Sequence, residues 1–180
     1  MIETIKVMND RKVDCMLALQ IQDVKTFMSG LLVHTMFDRF LLYEMDITMA
    51  NSFHMNGLIN REWYSTDELE QMNDRTYAKW TEMKPIAYEL IKGKKTPTAF
   101  KIIFMLDEDD LIQLARSCGE QYNHETIQSM LFNVKYEKNV LTIITGTSMK
   151  TFTLDKTLEQ QWDQTMINFL RKQKIAFEQL

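Results

Sequence analysis

Met130-Leu-Phe-Asn-Val-Lys-Tyr-Glu-Lys-Asn-Val-Leu-Thr-Ile-Ile-Thr-Gly146, continued through Thr151-Phe-Thr-Leu-Asp-Lys-Thr-Leu-Glu-Gln160, decides the reading of the fold, because the chain carries a version of it earlier. An offset of 89 lays Leu41–Gln71 over Met130–Gln160 without a gap. Leu42 falls on Leu131, Tyr43 on Phe132, Gly57 on Gly146, Trp63 on Phe152, and Leu69-Glu70-Gln71 on Leu158-Glu159-Gln160. Five of 31 positions are identical, and the others correspond in the part they play: strand, turn glycine, aromatic strand, helix start. The expectation is one domain of two similar halves, residues 1–92 and 93–180.

Outward from this block, residues 1–14 read as a short strand or a loose arm, and Cys15–Ile21 as a covered strand, apolar on both faces. Asp23 then caps an amphipathic helix from Val24 to near Thr35, with Phe27, Met28, Leu31 and Leu32 at helical spacing. From Leu41 the period becomes two, placing Leu41, Tyr43, Met45 and Ile47 on one face and Glu44, Asp46 and Thr48 on the other. Asn56-Gly57 suits a type I′ turn between strands Asn51–Met55 and Leu58–Tyr64. Ser65 or Thr66 starts a long helix that runs to Ile91, with a kink or break near Lys84, before Pro85. The second half repeats the order: strand Phe100–Leu106, a helix begun by Asp107–Asp110, strands Val134–Tyr136, Val140–Thr145 and Met149–Leu154, and a last helix after Asp155 with Leu158, Trp162, Met166, Phe169 and Leu170 along one stripe. Each half is therefore β-α-β-β-β-α. Joined edge to edge, the halves form an α+β fold, a curved antiparallel sheet of about eight strands with helices packed on one face.

Composition narrows the classes of function. The 180 residues carry 21 basic and 25 acidic side chains, a balance that disfavours binding nucleic acid by bulk charge. No apolar run is long enough to span a membrane, and Met1-Ile-Glu-Thr-Ile-Lys lacks the form of a signal peptide, so a cytoplasmic location is expected. Cys15 and Cys118 are isolated and read as small buried hydrophobes. The 14 methionines suit either irregular packing between the halves or an adaptable binding seam.

The order of elements resembles the two-repeat saddle of TATA-binding proteins and, less closely, the repeated unit of sliding DNA clamps, as topology only. A closer likeness is carried by Leu90-Ile-Lys-Gly-Lys-Lys-Thr-Pro97 with Phe100-Lys-Ile102, Thr145-Gly-Thr-Ser148, and Phe152-Thr-Leu-Asp-Lys-Thr-Leu-Glu159 followed by Trp162. Over Leu17 to Ile175 these residues make the chain similar to a family of short uncharacterised bacterial proteins, a resemblance that implies no activity.

Among candidate sites, Lys92, Lys94, Lys95 and Lys101 form the best anion-binding stretch. Its spacing and its place after a helix are not those of a phosphate loop, so capping of the helix end competes. Asp107-Glu-Asp-Asp110 lacks the alternation of a calcium loop and suits a helix start. Glu44 and Asp46, about 7 Å apart along one strand face, are paired carboxylates. His34, His54 and His124 have no metal-ligand spacing. Thr145, Thr147, Ser148, Thr151 and Thr153 line the last hairpin with hydroxyls, and Trp63 and Tyr64 beside Asn56-Gly57 are aromatic enough for a stacking or partner surface, with packing beneath the long helix the preferred reading. No catalytic, cofactor or metal residue is assigned. The expected function is a non-enzymatic binding or interaction module for a protein or small ligand, acting through the open sheet face or the methionine-rich seam. The alternatives are nucleic-acid binding between basic rims at Lys92–Lys101 and Arg171–Lys174, and, third, a small enzyme. Oligomeric state is not specified.

Overall fold

A computed structural model describes residues 17–72, 75–119, 122 and 125–180; residues 1–14, Cys15 and His124, read above from sequence, lie outside them. The described strands are β1 (Ala18–Ile21), β2 (Leu41–Thr48), β3 (Ser52–Asn56), β4 (Ala99–Met105), β5 (Ile127–Glu137), β6 (Val140–Met149) and β7 (Phe177–Gln179). The helices are α1 (Val24–Leu32), α2 (Thr66–Gln71), α3 (Trp80–Ile91), α4 (Glu108–Cys118) and α5 (Thr157–Lys172), with a 3-10 turn at Arg61–Trp63. The strands form one sheet in the order β3-β2-β4-β5-β6-β1-β7, and every pairing is antiparallel. The fold is α+β with the helices on one side, as expected.

The arrangement within the sheet departs from two repeated halves. β4 lies between β2 and β5, whereas its counterpart β1 lies between β6 and β7, so strand order differs between the halves. The expected third strand of each half is also absent. Residues 58–64 contribute a single bridge, Leu58 to Tyr77, and the 3-10 turn, and β6 ends at Met149. β7, unforeseen, takes an edge instead. Among the described residues the methionines Met45, Met130 and Met166 are buried in one common core with Met28, Met36, Met83 and Met149 packed around them, and no seam separates two halves.

Local chemistry explains most element ends. Asp23 Oδ1 accepts from Thr26 N at 3.0 Å and starts α1, and Ser65 and Glu68 form a capping box on α2. Asp107 Oδ1 accepts from Asp110 N at 2.9 Å at the start of α4. Asp155 Oδ1 accepts from Thr157 N at 3.0 Å ahead of α5. The tight hairpin is β5–β6, where Lys138 and Asn139 hold φ of 52° and 65°, the mirror-image conformation such a turn needs. Asn56-Gly57 is no such turn. Gly57 lies where three backbones meet: its N–H donates to Tyr43 O at 3.0 Å and its carbonyl accepts from Ala78 N at 2.8 Å, while Leu42 N donates to Ala78 O at 2.9 Å. A Cβ at Gly57 would sit 1.8 Å from Leu42 O, so only glycine fits.

That insertion of residues 76–79 breaks the long helix expected from Ser65 to Ile91 into α2 and α3. Pro85 lies inside α3 without ending it. Its missing N–H forfeits one bond in a helix held by the burial of Trp80 and Ala87 and by Lys84, whose Nζ reaches Asp38 Oδ1 at 2.5 Å and His34 O at 3.0 Å.

The core lies between the helices and the inner sheet face. Leu42, Met45, Ile47, Ile102, Phe104, Phe132, Val134, Leu141 and Ile143 are buried there. A bulge between Leu42 and Glu44 corrects the simple alternation, since Leu42 rather than Leu41 or Tyr43 joins Met45 and Ile47 on the inner face. Phe37, Phe104 and Phe132 pack at its centre, with Phe37 and Phe104 centroids 5.6 Å apart and those of Phe104 and Phe132 5.0 Å apart. Two tryptophans fasten helices to it. Trp80, fully buried, donates its indole N–H to Leu31 O at 2.8 Å, and Trp162 donates to Leu131 O at 2.9 Å.

Candidate functional site

Helices cover one side of the sheet, so the register determines what the other side presents. One row across it runs His54, Asp46, Lys101, Lys135, Thr142 and Gln20, and the next runs Asn56, Glu44, Ile103, Asn133, Ile144 and Ala18. Charge therefore collects over β3, β2 and β4, and half-buried apolar side chains over β4, β5, β6 and β1.

The charged part is tightly organised. Lys101 Nζ lies 2.7 Å from Glu44 Oε1 and 3.4 Å from Asp46 Oδ2, while His54 Nδ1 lies 2.7 Å from Asp46 Oδ1. Burial pushes the Asp46 carboxyl up, but the His54 hydrogen bond and the Lys101 charge outweigh it and leave the group below its usual range. Burial likewise pushes Lys101 down, and hydrogen bonding and attraction from Glu44 and Asp46 carry it above its usual value. Asp46 and Lys101 are thus held firmly charged at neutral pH, which suits ion pairing better than proton transfer.

Glu44, Asp46 and His54 each offer one ligand atom within 4.8 Å of the others, the geometry from which a divalent cation could be held. The Lys101 ammonium already serves as the cation for both carboxylates, so a metal would have to displace it and break the His54–Asp46 bond.

The four lysines of the candidate anion stretch are divided. Lys101 lies on the sheet face with its carboxylates, and Lys92 pairs with Glu89 at 2.5 Å, leaving Lys94 and Lys95 on the exposed connection after α3. Two of the four charges are thus neutralised by acids of the chain itself. At the other expected basic rim, Arg171 and Lys172 occupy the last turn of α5. The hydroxyls of the last hairpin also separate. Thr145 is buried on the inner face, its Oγ1 2.6 Å from Asp163 Oδ1; Ser148 donates to Gln128 at 2.9 Å; and Thr153 Oγ1 accepts from Asp155 N at 3.0 Å.

Trp63 and Tyr64 take the less favoured of their two expected readings. Instead of packing under a helix, Trp63 is 82% exposed and Tyr64 38%. Phe152, which sequence aligned with Trp63, is 90% exposed, and Leu154 is 82% exposed. The register puts the end of β3, the start of β2, the end of β4, the start of β5 and the end of β6 at one end of the sheet. The loops bearing Trp63 and Phe152 leave β3 and β6 at that end, four strand spacings or about 19 Å apart. Leu58, 54% exposed, lies between Asn56 and Trp63 on the first loop, and the Tyr43 and Tyr77 rings pack nearby at a tilt of 31° with centroids 5.4 Å apart. The aligned pair Trp63 and Phe152 was visible in the sequence as aromatic strand residues; neither sits in a strand, so no ladder turns it toward the core.

A family model, described as a family of unknown function (DUF5721), matches residues 30–178. No curated protein and no solved structure matches the chain.

Proposed function

The chain belongs to the DUF5721 family, whose function is undefined, and from that premise we propose that it is a non-enzymatic interaction module that docks a partner protein through the rim holding Trp63 and Phe152. The exposure of these two side chains, 82% and 90%, carries the reading. Large aromatic groups left in water at one end of a sheet, in a chain whose other two tryptophans are buried, are what a protein partner desolvates at the centre of an interface. The neighbouring Glu44, Asp46 and Lys101 supply polar groups of both signs that would fix the register of the partner. We also infer a cytoplasmic location, supported by the free thiol of Cys118.

Photo-cross-linking tests this. A benzophenone-bearing residue at position 63 or 152 should give a discrete protein adduct, and the same group at exposed position 89 on α3 should not. Trp63→Ser with Phe152→Ser should abolish recovery of that partner while changing stability by no more than about 0.5 kcal/mol. Equal labelling at all three positions, or partner recovery indifferent to the double change, refutes the reading.

A further inference from the structure

On the helical side, away from the open sheet face, we propose that the cleft between α4 and α5 is a binding site for a small aromatic carboxylate. The cleft has a volume of about 240 Å³. Its helical walls come from one face of each helix: Asp110, Gln113, Leu114 and Ser117 on α4, and Trp162, Thr165, Met166 and Phe169 on α5. This i, i+3, i+4, i+7 spacing ordinarily closes two helices on each other; here a space remains between them.

The floor is apolar and largely aromatic. Phe40, Leu106, Trp162 and Met166 are buried beneath it, and half-buried Phe169 stands edge-on to Phe40 with centroids 5.5 Å apart. Ring faces and edges presented at such angles favour another ring over an aliphatic chain.

The rim supplies the charge. Arg39 Nε donates to Asp110 Oδ2 at 3.0 Å, a terminal guanidinium nitrogen reaches the same oxygen at 2.5 Å, and the guanidinium carbon stands 5.8 Å from the Phe40 ring centroid. One carboxylate oxygen engages two of the five guanidinium N–H donors, so Asp110 fixes the orientation of Arg39 without exhausting it. Arg39 remains 55% exposed, with donors free for a second carboxylate. Gln113, Ser117 and Thr165 add neutral polar groups along the mouth. A ring seated on the floor with its carboxylate at Arg39 satisfies both halves of the cleft. The site shares no residue with the Trp63–Phe152 rim, so either reading can fail without the other.

The probes are 1-naphthoate and its uncharged analogue 1-naphthamide, titrated while the Trp162 indole N–H resonance is followed by NMR. Naphthoate should shift that resonance saturably and bind more tightly than the amide. Arg39→Gln should weaken naphthoate by about tenfold, the value of one charge-assisted hydrogen bond, and leave naphthamide within about twofold. Leu114→Trp should weaken both by filling the space; if that variant does not fold, Thr165→Phe fills it from the other wall. The site is refuted by a Trp162 resonance that neither probe moves, by Arg39→Gln affecting both probes alike or neither, or by binding that survives a folded cleft-filling variant. Loss of both probes on Trp63→Ser with Phe152→Ser would relocate binding to the rim and also overturn it.

Discussion

Trp80 holds the C-terminal end of α1 to the start of α3, and the strength of that attachment follows from its geometry. Leu31 is the penultimate residue of α1, one of the helix-end carbonyls without an intrahelical donor. The Trp80 indole N–H supplies one at 2.8 Å, from a ring that is 0% exposed and edge-on to Phe104 with centroids 5.0 Å apart. Truncation to alanine removes about 200 Å² of buried apolar surface, worth about 5 kcal/mol at 25 cal/mol per Å². That agrees with the roughly 3–5 kcal/mol measured for large-to-small changes in cores. Trp80→Phe keeps a ring against Phe104 but leaves the Leu31 carbonyl dry and unpaired, at about 2 kcal/mol. Urea denaturation of both variants should therefore show midpoints falling in the order wild type, Trp80→Phe, Trp80→Ala with the slope unchanged. A Trp80→Phe loss below about 0.5 kcal/mol would mean the hydrogen bond holds nothing, and equal losses for both variants would mean the ring itself is not the anchor.

The two aligned glycines should separate: Gly57→Ala places a Cβ 1.8 Å from backbone Leu42 O and 2.6 Å from its carbonyl carbon, costing at least about 2 kcal/mol. Gly146→Ala meets nothing within 4 Å and should change stability by less than about 1 kcal/mol; similar losses at both sites in denaturant melts would refute the difference. Asp163 is held above the ordinary carboxylate range, first by burial and further by Glu159, with the Thr145 hydrogen bond opposing them. A raised folded pKa gives a contribution to stability that is full below the unfolded pKa and lost as pH rises through the folded one. Asp163→Asn should therefore gain on the wild type at pH 7, and the gain should shrink toward about pH 4. A gain independent of pH, or a loss at pH 7, would show that the carboxylate charge is needed beside Thr145.

Much of the fold is legible along the chain because local chemistry decides it. Asp23, Ser65 and Asp107 mark helix starts through bonds that span three residues, period-two alternation finds β4 and most of β2, and the stripe Leu158–Trp162–Met166–Leu170 finds the buried face of α5. Sequence also singled out Glu44, Asp46 and Lys101. It could not show that Lys101 closes on both carboxylates, or that His54 joins them, because both depend on register between strands far apart in the chain. Topology lies beyond local signals for the same reason. Similar strings over Leu41–Gln71 and Met130–Gln160 receive different structures: the segment 76–79 enters beside Gly57, lengthening a turn into a three-backbone junction, while Gly146 stays inside an uninterrupted strand. β1 pairs with β6 across more than 100 residues, Ala18 opposite Ile144, and nothing in the spacing of either strand names the other. Pairing partners, the exposure of Trp63 and Phe152, and the space left between α4 and α5 are settled by how the whole core closes, since each depends on surfaces that meet only after the chain has folded.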